Sequence, residues 1–128
     1  MKRTLPFCTS VTPGNTPGAA AGNGLVIDRQ GYRSTLIGLA AATITAGSIN
    51  AKIQHGDAAD GSDMADFKPD GIAISTSTLD TSNTNTFKDV DLSGAKRYIR
   101  LVIATTGTVS AFSTYAVLGD VGYGQGFN

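Results

Sequence analysis

Apolar and polar positions alternate with a two-residue period through the last third of the chain. Between Lys96 and Ile103, Ile99, Leu101 and Ile103 fall on one side, and Tyr98 and Arg100 fall on the other. After Thr105-Thr106-Gly107-Thr108 the alternation resumes, with Phe112, Ala116 and Leu118 opposed to Ser113, Tyr115 and Val117. The pattern predicts two strands paired as a hairpin, with the Thr-Thr-Gly-Thr run as the turn. Further strands are predicted at Leu25 to Asp28 and Tyr32 to Leu39, separated by the turn Arg29-Gln-Gly31. After Ala46-Gly-Ser48 another strand follows, in which Ile49, Ala51 and Ile53 alternate with Asn50, Lys52 and Gln54. Gly71 to Ser75 reads as a short strand, and Thr86 to Leu92 leads into the hairpin. About seven or eight short strands with turn signals between them suit an antiparallel β-sandwich, jelly roll or barrel.

Residues 1–23 stand apart from this pattern. They hold Pro6, Pro13 and Pro17 and the small-residue string Ala19-Ala-Ala-Gly-Asn-Gly24, and such a segment resists regular structure. The expected organisation is an extended N-terminal arm (1–23), a β domain (24–120) and a Gly-rich tail (121–128). Leu5, Phe7 and Val11 give the arm apolar side chains to bury, and Tyr123 and Phe127 are aromatic anchors in the tail.

Composition reinforces the all-β expectation. All ten acidic residues are Asp, a turn former, and the strong helix former Glu is absent. Ten basic residues cancel them, so no charge footprint points to nucleic acid or an anionic membrane as a partner. Leu36 to Ala42, the longest apolar stretch, is far below the roughly 20 residues of a membrane span. The start of the chain lacks an export signal, and the single Cys8 has no second cysteine to pair with, so a reducing cytoplasm is the expected site of synthesis.

Reactive residue types are scarce. Asp57, Asp60, Asp63 and Asp66 recur every third residue, whereas a calcium loop places donors at every second position and ends in Glu; solvated turn carboxylates are the plainer reading, and no metal is expected. His55 follows Ile53 on the apolar side of its strand and has no second His to work with, which suits a boundary residue of the core or a subunit contact. Cys8 lacks a Cys-centred motif, and Ser34, Ser48 and Ser110 lack the Gly-x-Ser-x-Gly elbow. The glycines of Gly119-Asp-Val-Gly-Tyr-Gly-Gln-Gly126 open no helix and precede no Lys-Ser/Thr, so no nucleotide cofactor is expected. The chain reads as a non-enzymatic protein that works by presenting surfaces. Tyr98, Arg100 and Tyr115 on the predicted strands are candidate contact residues, beside the arm and tail residues already named.

In order along the chain come a Pro/Gly/Ala-rich start, Leu25-Val-Ile-Asp-Arg-Gln-Gly-Tyr32, and Ala51-Lys-Ile-Gln-His before an Asp-Gly loop. Phe87-Lys-Asp-Val, Lys96-Arg-Tyr-Ile-Arg-Leu and Ala116-Val-Leu-Gly119 follow. Over about residues 20 to 120 this order resembles jelly-roll capsid cement or decoration proteins of tailed bacteriophages. The resemblance implies a structural virion protein, made in a bacterial cytoplasm, that binds the major capsid protein on the outer surface of the shell as a homo-oligomer, dimer or trimer. The Asp-Gly loop and the Arg-Tyr-Ile-Arg strand are also similar to galactose-binding-like jelly-roll modules, which implies carbohydrate recognition instead; the absence of Trp counts against it. A tail or head-to-tail connector component is the third expectation.

Overall fold

The computed structural model describes residues 11–15, 22–109 and 111–121. Nine strand segments occur among them, and no helix. In chain order they are β1 (Val11–Asn15), β2 (Gly22–Asn23), β3 (Ile27–Asp28), β4 (Tyr32–Ala41), β5 (Ile44–Gly56), β6 (Ala65–Asp66), β7 (Asn85–Asp91), β8 (Tyr98–Val109) and β9 (Phe112–Val121). They form two antiparallel sheets. The first has the order β1-β9-β4-β7; the second has β2-β8-β5-β6, with β3 also paired to β8. Taking β2 and β3 as one interrupted strand, the chain steps between the sheets at almost every connection, and only β5 and β6 are successive neighbours in one sheet. That is the strand order of a jelly roll.

The alternation read from the sequence sets the inward faces. Ile49, Ala51 and Ile53 of β5, Ile99, Leu101 and Ile103 of β8, and Phe112, Ala116 and Leu118 of β9 are all buried between the sheets. Ile37 and Leu39 of β4 and Val90 of β7 complete the first sheet's contribution, and Phe67, Leu79 and Leu92 close the core from the loops.

The expected terminal hairpin does not form. β8 pairs with β5 in the second sheet and β9 pairs with β1 and β4 in the first, so the two successive strands face each other across the core. Inward alternation is the same for two strands side by side and for two strands stacked, so it fixed the face of each strand and left its partner open. The Thr-Thr-Gly-Thr run is not a turn either. Gly107 stands opposite Gly47 within the β5–β8 pair, both at positive φ (66° and 113°), and a Cβ on Gly47 would lie 1.8 Å from the Thr106 carbonyl oxygen. These glycines permit a close approach inside long strands.

Within the segment expected to be an arm, Val11–Asn15 runs beside β9 as an edge strand and Gly22–Asn23 pairs with β8. That part of the arm belongs to the sheets. Leu5 and Phe7 lie outside the described residues, as do Tyr123 and Phe127 of the expected tail. Gly71 to Ser75 forms no strand and touches the ladder at one bridge, Lys52 to Ser75.

Candidate functional site

The acidic loop between β5 and β6 is held by its own carboxylates. Asp63 accepts the backbone N–H groups of Asp57 (2.8 Å) and Ala58 (3.0 Å), and these bonds hold its carboxyl below the usual range. Asp60 accepts the N–H of Ser62 (2.9 Å), and Asp57 pairs with Lys96 (2.7 Å). Asp66 sits on β6, bonded to Gln54 (2.8 Å) and Lys52, whose hydrogen bonds lower its pKa. The four carboxylates thus point to four different tasks. Among the described residues no three His, Cys, Asp or Glu side chains converge as a metal site would require.

His55 sits beside this loop. Its Nδ1 accepts the backbone N–H of Lys96 (3.1 Å), and its ring tilts at 55° against Phe67, centroids 5.0 Å apart. Burial, then the nearby Lys96 charge, push its pKa below the usual histidine value, which favours the neutral ring that can accept that bond. Across the same end, Arg29 donates Nε to the Lys96 carbonyl (2.8 Å), Nη1 to that of Tyr32 (2.8 Å) and Nη2 to that of Ala95. The guanidinium ties the β3–β4 turn to the approach to β8.

The outer face of the second sheet is a row of mutually bonded polar groups. Arg100, Gln54 and Asp66 stand directly opposite one another on β8, β5 and β6. Arg100 donates from Nε and Nη2 to Gln54 Oε1 (2.9 and 2.7 Å), Gln54 donates to Asp66, and Lys52 pairs with the same carboxylate at 2.9 Å. Tyr98 lies on this face under Arg97, whose guanidinium is 5.1 Å from the ring centroid and also pairs with Asp28 at 2.7 Å.

The outer face of the first sheet carries an apolar band, bordered by Ser34 and by Asn85, Asp89 and Asp91 of β7. Tyr115 stands opposite Gly38, with Phe87 on Gly38's other side; Val117 stands opposite Leu36 in the next row. The Tyr115 ring lies over Gly38, since a Cβ there would come within 2.0 Å of its Cζ. Phe87 is 69% exposed. Toward the end of the sandwich the band opens into an apolar depression lined by Ala40, Ala41, Ala42, Ala111, Phe112 and Ser113.

Of the candidate contact residues, Tyr98 and Arg100 share the second sheet's face and Tyr115 lies on the opposite side of the molecule. Val11 is placed by its pairing with Val117. Sequence reasoning missed Leu36, Gly38 and Phe87. The signal was present: Leu36 to Ala42 is apolar at consecutive positions, the mark of a strand covered on both faces. Phe87 is out of phase with the inward Val90, so it had to point outward. No known family matches this chain, and a search among curated proteins finds no detectable relative.

Proposed function

We propose that this protein is a capsid cement or decoration protein of a tailed bacteriophage, a homo-oligomer that binds the major capsid protein on the outer surface of the virion and holds the shell assembled. The observation that carries the reading is the difference between its two outer faces. One carries a row of mutually bonded polar partners; the other presents Leu36, Tyr115, Val117 and Phe87 as an apolar band, with Asp89 and Asp91 at its β7 margin. Such a band on a small domain marks a docking surface. The jelly roll serves shells and lectins alike, so the fold by itself does not choose between them.

The mechanism needs no catalysis. A protein that binds the assembled lattice and not its separated subunits shifts the lattice toward assembly by mass action. Many copies on one shell, each with several contacts, raise retention without any one tight site.

The test is copy counting on purified virions together with co-sedimentation on mature empty heads. Many copies per particle and co-sedimentation that Leu36→Lys abolishes are expected. A few copies per particle would indicate a tail or connector component, and binding to a glycan array without retention on heads would indicate a carbohydrate module.

A further inference from the structure

The sheet edges are not alike. β1 carries Pro13, which has no N–H, and its register shifts between Pro13 and Asn15. β2 and β3 are two residues each. β6 is equally short, and the chain beyond it meets β5 only at isolated bridges. Short, bulged or proline-bearing edges discourage pairing with another chain. β7 has none of these features. It is seven residues long without Pro or Gly, and its register against β4 is unbroken from Asn85 to Asp91. Among the described residues no strand flanks its other side.

The hydrogen bonds show which of its backbone groups face β4 and which face away. The Ala41 N–H donates to the Thr84 carbonyl (2.8 Å), and the Leu92 N–H donates to the Arg33 carbonyl (2.8 Å). Both lie in the β4–β7 register, one at each end. Bonded pairs in an antiparallel ladder recur at every second residue. Thr86, Lys88 and Val90 therefore turn their N–H and C=O groups toward β4, and Asn85, Phe87, Asp89 and Asp91 turn theirs away from the sheet.

A second copy of this chain can meet that edge in a register that its own side chains select. A two-fold axis perpendicular to the sheet places β7 antiparallel to β7 and one residue opposite itself. Registers centred on Asp89 or Asp91 set two carboxylates face to face, which opposes pairing. One centred on Asn85 sets Phe87 against Asn83, outside the strand. Of the registers centred on a non-bonded position, Lys88 sets two ammonium groups face to face, Val90 sets Asp89 against Asp91, and Thr86 sets Asp89 against Asn83, outside the strand. The register centred on Phe87 has no such conflict: Phe87 meets its counterpart, Asn85 faces Asp89, and Thr86 faces Lys88.

We propose that β7 is a self-association edge, through which two copies of this chain join their first sheets into one continuous sheet about a two-fold axis at Phe87. Asn85, Phe87 and Asp89 each donate and accept a backbone hydrogen bond across the junction, and the exposed Phe87 rings bury against each other. The proposal rests on the homo-oligomer of the reading above and not on the capsid, so the purified protein alone tests it.

The experiment uses the full chain with Cys8→Ser as background. Sedimentation should give a dimer, which Phe87→Lys converts to a monomer of unchanged far-UV spectrum, while Ile72→Lys, replacing an apolar residue that is 77% exposed elsewhere, leaves the dimer intact. Phe87→Cys should cross-link to a covalent dimer under mild oxidation, because directly opposed bonded residues have Cα atoms about 5.5 Å apart. Asn85→Cys, displaced from the axis, should cross-link at least about tenfold more slowly. A monomeric or trimeric background protein, a dimer that survives Phe87→Lys, or equal cross-linking of the two cysteine variants would overturn the proposal.

Discussion

Arg29 shows how one side chain can organise an end of this sandwich. Its three carbonyl partners come from Tyr32, where the β3–β4 turn ends, and from the segment leading into β8, which are far apart in sequence and are also joined here by the Arg29 N–H to the Arg97 carbonyl and by the Arg97–Asp28 pair. Arg29→Ala leaves those carbonyls without their charged donor and should lower stability by about 2 kcal/mol, read as a shift in denaturation midpoint at constant slope. Thr114 is the opposite case. Its hydroxyl is buried and has no hydrogen-bond partner among the described residues. Thr114→Val keeps the shape and removes the stranded group, so the protein should gain about 1 kcal/mol. His55 makes stability depend on pH. Because its folded pKa is lowered, the unfolded chain binds the proton more readily between the folded value and the ordinary histidine value of about 6.5. Its contribution is complete above that ordinary value and is lost as the pH falls below it. Melting temperature should drop between about pH 7 and pH 5, before the carboxylates titrate, and His55→Asn, which keeps an acceptor for the Lys96 N–H, should flatten that step.

At the scale of elements, β4 and β9 are coupled through one glycine. Gly38→Ala drives a methyl into the Tyr115 ring and should cost about 1–3 kcal/mol, and the cost should shrink in a Tyr115→Ala background. A double-mutant cycle by chemical denaturation measures that coupling. Which way the longer strands face was legible, because period-two alternation is local: β5, β8 and β9 bury the residues their patterns named. Partners were not legible. Gly107 looked like a turn because a glycine between threonines is a turn signal, and only its position opposite Gly47 reveals a close approach within paired strands. Val11–Asn15 looked like arm because Pro13 and the neighbouring glycines argue against a central strand; an edge strand tolerates the proline. Deleting residues 1–20 should therefore strip the outer strand from β9 and lower the melting temperature by several degrees, where an arm detached from the sheets would leave it unchanged.

For the whole molecule, the division between faces was only half legible. The polar row on the second sheet follows from Lys52, Gln54 and Arg100 alternating with buried residues, and those alternations can be read directly. The apolar band needed three strands brought side by side from distant parts of the chain, and Tyr115 was found in isolation because nothing in its own strand names Phe87 as a neighbour on the same face. The jelly-roll order has one more effect, on how the protein is made. Val11 pairs with Val117, so the earliest described strand waits for nearly the last one before its sheet can close. At ribosomal speeds of about 5–20 residues per second, that gap is roughly 5–20 s of exposure for every nascent chain. Most other pairings are also distant in sequence, which places closure after synthesis and makes it slow. Nascent chains on one messenger would meanwhile expose unpaired strands to one another, so yield in the cell should depend on translation speed and on holding chaperones more than on the final stability of the sandwich.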